Sequence, residues 1–319
     1  MNLIFITANF FFTETLYYAT MVTHEKQEED AIMKKKVLIA AVMGAAVLLS
    51  GCSGQKNAVT ASAASDTAAS TEKETAKETE AGKKEDAGTG TFTVGFDQDF
   101  PPMGFVGDNG EYTGFDLELA QEVANRLGKK YVPQPIAWDA KDMELESGNI
   151  DCIWNGFTIT GREEGYTWTS PYMENSQVFV VRKDSGINAL ADLSGKIVEV
   201  QADSSAEKAL QADEKLTGTF GTLQTTPDYN TAFMDLEMGA VDAIAMDVIV
   251  AAYQIEQRKA DFIILDEALA AEEYGVGFKK GNDALRDQVQ EQLDAMAADG
   301  TLKKISEKWF GKDVTTVKK

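Results

Sequence analysis

From Thr91 onward, short apolar runs alternate with helix-periodic segments, and that alternation leaves few folds open. Strands are expected at Phe92–Phe96, Tyr131–Ile136, Ile150–Trp154, Gln177–Arg182, Ile197–Gln201, Ala243–Met246, Phe262–Leu265 and Tyr274–Phe278. Between them the spacing of apolar residues predicts helices at Phe115–Leu127, Ala140–Leu145, Ser205–Gln211, Tyr229–Met238, Val248–Glu256, Asp283–Ala298 and Leu302–Trp309. Such a rhythm belongs to α/β proteins. The pieces fall into two sets, which predicts lobe one over 91–182 plus 275–314 and lobe two over 186–270, joined by two extended crossings. In open α/β sheets ligands bind beyond the carboxyl ends of the strands, so the cleft between lobes is the expected site.

The stretch Ile150–Val181 carries the chemistry. An apolar run stops at Asn155-Gly156 and is followed by Thr158, Thr160 and Arg162. These residues offer hydroxyls, backbone N–H groups beside a glycine, and a guanidinium that can hold a carboxylate through two parallel hydrogen bonds. An arginine after a strand is also commonly a solvated charge, and threonine is an ordinary strand former. The residues by themselves leave a binding loop and a plain surface loop both open.

The first ninety residues read differently. Lys34–Lys36, the apolar run Val37–Leu49 and then Leu49-Ser50-Gly51-Cys52 make a secretion signal whose end resembles the lipobox of bacterial lipoproteins. The apolar run is short for a bilayer span. The resemblance implies cleavage before Cys52 and lipidation of its thiol, with residues 33–51 as signal peptide. Residues 1–32, which lack a positive leader, are expected to be an extension upstream of the true start at Met33. Ser53–Gly90 contains no aromatic residue and is rich in Ala, Thr, Ser, Lys and Glu, so 52–90 is expected to be a disordered tether. As a flexible coil it would span roughly 30–35 Å.

Absences narrow the function further. The chain has one histidine, His24, ahead of the expected cleavage site, and two cysteines, of which Cys52 is claimed by the lipobox. Cys152 is left as a small apolar strand residue. A mature chain without histidine has no Ser-His-Asp or Cys-His pair and no histidine metal site. The formal charge of −22 argues against nucleic acid as a partner. Asp108-Asn109-Gly110-Glu111 lacks the alternating carboxylates of a calcium loop and reads as a turn. Gly275-Val276-Gly277 lacks the helix that follows a nucleotide loop. No cofactor, metal or stable oligomer is expected, and the chain reads as a monomer.

The succession VGFDQDFPPMGF, YTGFDLELAQEVANRLG, NGFTITGRE, WTSPYMENSQVFVV, LSGKIVEVQADSS, VDAIAMD, YGVGFKKGN and LKKISEKWFG resembles the polar-amino-acid solute-binding proteins (family 3) of bacterial ABC importers, over nearly all of 91–314. The resemblance implies a two-lobed periplasmic-binding-protein-like fold, each lobe a mixed sheet flanked by helices. It implies a lipid-anchored protein on the outer face of the cell membrane that is not an enzyme. Its partners would be a free amino acid, an ABC permease with its ATPase, and the membrane through Cys52.

Residue by residue, Phe100 and Trp138 stand where the family places two aromatics around the ligand side chain. Asn155, Gly156, Thr158 and Arg162 stand where it binds the α-carboxylate and part of the α-ammonium. Here the chain departs from the commoner pattern, which puts arginine at the place of Glu163. Gln201, Ser204 and Ser205 match a strand-to-helix loop whose N–H groups face the carboxylate, a helix N-terminus suiting an anion. Ser204 is equally an ordinary helix N-cap. Asp247 matches the ammonium-binding aspartate. Asp97 matches an acidic position used for basic or amide side chains, which points to arginine, lysine, histidine or glutamine. Two other classes share this scaffold: an amino-acid-derived dehydratase, which needs a positioned acid or base, and a tethered sensor that signals to a partner.

Overall fold

The computed structural model describes residues 90–317. The expected extension 1–32, the signal 33–51 and the tether 52–90 with Cys52 lie outside these residues, apart from Gly90.

The described chain builds two mixed sheets and a small hairpin. Strand β1 (Thr91–Phe96) leads to β2 (Asp99–Phe100), β3 (Gly104–Val106) and β4 (Tyr112–Thr113), which pair with one another. Helix α1 (Phe115–Arg126), β5 (Lys130–Pro135), α2 (Lys141–Ser147), β6 (Cys152–Ile153) and β7 (Thr167–Trp168) follow. The chain then enters the second sheet through β8 (Met173–Arg182). That sheet continues with β9 (Ile197–Gln201), α3 (Ser205–Ala212), α4 (Glu214–Thr217), β10 (Thr222–Thr226), α5 (Tyr229–Met238), β11 (Ala243–Asp247), α6 (Val248–Arg258), β12 (Phe262–Ile264) and β13 (Ala270–Tyr274). Strand β14 (Gly277–Phe278) returns to the first sheet, and α7 (Asp283–Asp299) and α8 (Thr301–Phe310) end the fold.

The strand orders are β5-β1-β6-β14-β7 and β10-β9-β11-β8-β12, with β13 also on β8. In each sheet the first three strands are parallel and antiparallel ones complete it. Strands β9 and β11 are buried along most or all of their length, which is why both read as continuous apolar runs. Their side chains, with Phe179, Val181, Ala206 and Leu210, form the core of the second lobe. In the first lobe Trp138, Leu145, Ile150, Ile153 and Phe157 pack together. Helix α1 buries Phe115, Leu119, Ala120 and Val123 against β5, α7 and α8, and the Phe115 ring meets Phe310 edge-on at 4.9 Å.

Some elements differ from the sequence reading. The ladder of β6 is only Cys152–Ile153, although Asp151 N and Trp154 N still donate to carbonyls of β1 at 2.8 and 3.1 Å. The run Gln177–Arg182 is the latter part of the longer β8, which hydrogen-bonds in the second sheet. Tyr274–Phe278 is divided: β13 ends at Tyr274, Gly275 N turns to Phe157 O at 2.9 Å, and β14 begins at Gly277. The division lets one extended segment leave the second sheet and join the first.

Gly114 fixes how α1 starts. Its φ is +142°, and a Cβ there would lie 2.3 Å from the carbonyl oxygen of Met103. A left-handed backbone and a clash with main chain each cost about 1–3 kcal/mol. We therefore expect Gly114→Ala to lower the unfolding free energy by about 3 kcal/mol or more. Urea unfolding of the purified protein checks this, and a loss within about 0.5 kcal/mol, the range of ordinary surface substitutions, would contradict it.

Candidate functional site

Both sheets direct strand ends toward one cleft. Asp97 follows β1, Phe100 lies in β2, Trp138 opens a short 3-10 turn (Trp138–Ala140), and Asn155, Gly156, Thr158 and Arg162 lie beyond β6. From the second lobe come Gln201 at the end of β9, Ser204 and Ser205 at the start of α3, and Asp247 at the end of β11. All of these residues line one narrow space, with about 10 Å³ open inside it.

The Asn155–Arg162 loop is shaped from below. Gly156 adopts φ +55°, and a Cβ would sit 3.0 Å from the Phe100 ring and 3.2 Å from the Tyr274 ring. Its N–H donates to Asp116 Oδ2 at 2.5 Å, so this group is used by the protein itself and is not offered to a ligand. Tyr172 Oη donates to the same oxygen at 2.9 Å. Burial pushes the Asp116 carboxyl up to about 7, against the lowering effect of these donors. Asn155 Oδ1 accepts from Asp97 N at 2.8 Å, and its buried Nδ2 has no hydrogen-bond partner among the described residues.

Arg162 is 5 % exposed. Its Nη2 donates to the carbonyl of Asp203 at 3.1 Å, Nη1 approaches Thr158 O at 3.4 Å, and the guanidinium lies 5.3 Å from the centre of the Phe157 ring. The buried Nε has no hydrogen-bond partner, and Arg162 takes part in none of the ion pairs among the described residues. Burial lowers its pKa, but a guanidinium remains charged in proteins. A buried cation whose partners are carbonyls is suited to an anion.

Across the cleft, Ser204 is the N-cap of α3: its Oγ accepts from Glu207 N at 3.0 Å. Ser205 Oγ accepts from Gln177 Nε2 at 2.9 Å. Asp203 holds φ +55°, which turns its carbonyl toward Arg162 and Lys141. Lys141, only 1 % exposed, also pairs with the Asp203 carboxylate and lies 5.1 Å from the Trp138 ring centre. Gln201 Nε2 donates to Asp97 Oδ2 at 2.6 Å. Burial pushes Asp97 up to about 6, opposed by the donors Asp99 N and Gln201. Asp247 stands at the N-cap position of α6 without capping it; its Oδ1 instead accepts from Tyr274 Oη at 2.6 Å and Asn175 Nδ2 at 2.8 Å.

The sequence reading missed Lys141, Asn175, Tyr274 and Glu272 as parts of this region. Glu272 is buried, and its Oε1 accepts from Thr158, Asn175 and Gln177. Glu272 and Tyr274 are two apart on β13 and so share a face, but only the structure extends that strand back to Ala270. Lys141 offers no signal, because its pairing depends on a residue of the other lobe.

Residues 92–312 match the model of the bacterial extracellular solute-binding proteins, family 3. The L-cystine-binding protein TcyJ of Escherichia coli is 35 % identical over 229 residues, 71 % of this chain and 85 % of that protein. Among solved structures, an ABC uptake transporter substrate-binding protein from Streptococcus pneumoniae with bound histidine superposes with a TM-score of 0.69 at 36 % identity, covering 71 % of this chain and 94 % of the other. The ancestral amino acid-binding protein AncCDT-1, a precursor of cyclohexadienyl dehydratase, gives 0.63 at 34 % identity, covering 69 % and 96 %.

Asp116 carries a measurable consequence. Its folded pKa of about 7 lies above the ordinary 3.8, so its contribution to stability is fully present below about pH 3.8 and is lost as pH rises through about 7. Relative to Asp116→Asn, the wild type should lose on the order of 4 kcal/mol across that window. Denaturant unfolding at stepped pH tests this, and parallel curves for the two proteins would refute it.

Proposed function

This chain belongs to the bacterial extracellular solute-binding proteins, family 3, and we propose that its cleft captures an L-amino acid with a basic or amide side chain and delivers it to the permease and ATPase of an ABC importer. Its similar relatives are binding proteins of transporters, and it acts outside the cytoplasm without turning its ligand over. The observation that carries the reading is the pairing, in one buried cleft, of a guanidinium lacking a carboxylate partner with acids lacking a basic one. Arg162 suits the α-carboxylate, and Asp247 the α-ammonium. At the far end the Asp97 carboxyl, bonded to Gln201, forms a polar acceptor beside Phe100 and Trp138. Donor-rich side chains such as guanidinium, ammonium, imidazole or amide fit there; an acidic one would meet Asp97. Cystine, which a relative binds, would present a second ammonium at that position.

Closure follows from the same geometry. The two lobes, with β8 and β13 hydrogen-bonded in the sheet of the second, would turn about the crossings at the start of β8 and the end of β13, and a ligand held from both sides favours the closed form. The lipobox supports Cys52 as a lipid anchor and 52–90 as a tether holding a monomer at the outer face of the membrane.

Thermal unfolding of the purified protein against the twenty amino acids, cystine and ornithine tests the ligand. A ligand at a hundred times its Kd adds about 2.7 kcal/mol, a shift of several degrees. We expect selective shifts by a few basic or amide amino acids, lost in Asp247→Ala; shifts by acidic amino acids alone would refute the substrate class. For the anchor, Cys52→Ser should move the protein from the membrane fraction to the medium or periplasm. Retention of the variant in the membrane would exclude it.

A further inference from the structure

Two acids meet in this cleft without a base between them. Asp247 ends β11 and is 3 % exposed; Glu272 lies in the middle of β13 and is 7 % exposed. One amide nitrogen, Asn175 Nδ2, donates to both, at 2.8 Å to Asp247 Oδ1 and 2.6 Å to Glu272 Oε1. Asn175 stands opposite Glu272 in the β8–β13 ladder, so the arrangement is set by strand register. Glu272 Oε1 also accepts from Thr158 Oγ1 at 2.8 Å and Gln177 Nε2 at 2.7 Å. Neither acid takes part in any ion pair among the described residues.

The other titratable groups facing the pair are Arg162 beyond β6, Tyr229 on α5, Tyr274 on β13 and, through Tyr274, Tyr172 ahead of β8; Asp97 faces Tyr229 from the first lobe. Burial raises all three tyrosines well above the ordinary phenol range, so they stay neutral donors. Arg162 is a cation of this cleft, but it hydrogen-bonds to carbonyls. Adjacent carboxylates in a dry site resist ionising together, and one retains a proton until a cation arrives. Burial, then the neighbouring Glu272, push Asp247 well above the usual carboxylate range. Glu272, with three donors on one oxygen, is built as the acceptor of the pair.

We propose that Glu272 joins Asp247 in a two-carboxylate subsite for a primary ammonium group, and that the ammonium replaces a proton held by the pair, which is released to solvent. This rests on the reading of the ligand as an amino acid. The O–H bond of the Asp247 carboxyl breaks and its proton leaves to water. The ligand keeps all three ammonium hydrogens and donates them to Asp247 and the lining groups beside it, while Glu272, whose Oε1 already has three donors, adds its charge from outside the lining. A primary amine supplies those donors; an N-methylated amino acid lacks one and carries a methyl into a buried polar site, so the subsite selects against it.

Isothermal titration calorimetry in phosphate and in Tris, whose ionisation heats differ, tests this with whichever amino acid shifts the melting temperature most. The wild type should release up to one proton per ligand, and its Kd should tighten by up to about tenfold per pH unit while Asp247 titrates. In Glu272→Gln, which keeps the shape and removes a charge, binding should weaken and proton release should disappear. In Asp97→Asn, where binding should weaken, the release per bound ligand should persist; loss of release by ligand that still binds would assign the proton to Asp97 and overturn the proposal. If Glu272→Gln does not fold, the ligand-minus-free infrared difference spectrum of the wild type decides, with loss of a protonated-carboxyl band expected. Undiminished binding with equal heats in both buffers, unchanged release in Glu272→Gln, or no change in that band would each overturn the subsite alone. Failure of every amino acid to bind would overturn the amino-acid reading along with it.

Discussion

The antiparallel pairing of β8 with β13 is the constraint on which the arrangement depends. These strands run side by side in register from Gln177 opposite Ala270 to Met173 opposite Tyr274, at the passage between the two sheets. Because side chains alternate along a strand, this register turns Glu272 and Tyr274 to the cleft side, where they meet Thr158 and Asp247. A slip of one residue would turn them away and bring Ala271 and Glu273 inward. The crossing is therefore the floor of the cleft and, on the proposed closure, also its hinge. A paired ladder can twist and bend, but it cannot slide without losing the polar groups at its centre.

Above that floor the cleft separates charge. Arg162 is held by carbonyl oxygens on one side, and the acids gather around Asn175 on the other. Each side is buried and incompletely neutralised by the protein, an arrangement that costs stability and is expected where a ligand completes the electrostatics. The supporting shell is also polar: Asp116 beneath Gly156, and Gln177 between Ser205 and Glu272. These residues touch the loop and the acids, and so set positions that the lining residues cannot set for themselves.

Most of the helices and the central strands were legible in the sequence because burial makes them periodic or continuously apolar. Strand β10, Thr-Leu-Gln-Thr-Thr, was not, since it is an edge strand largely exposed to solvent and carries no alternation. Strand β13, Ala-Ala-Glu-Glu-Tyr, hides for another reason: its acids read as solvated surface, and only the pairing with β8 buries one of them. The lining residues of the cleft were legible through short motifs at strand ends. Lys141 and Glu272 were not, because a charged residue is ordinarily exposed and their burial depends on partners far away in the chain.

The two lobes also touch at points supplied wholly by the protein. Lys141 pairs with Asp203, Asn230 Nδ2 donates to Asp99 at 2.8 Å, and the Phe105 and Tyr253 rings approach to 5.9 Å. Contacts of this kind add the same free energy to closure whichever solute is present. They change how much of the population closes at a given solute level and leave the ranking among solutes untouched. Gain and discrimination are thus carried by different residues, so a lineage could retune the sensitivity of uptake at the rim of the cleft while its choice of cargo stayed fixed at the centre.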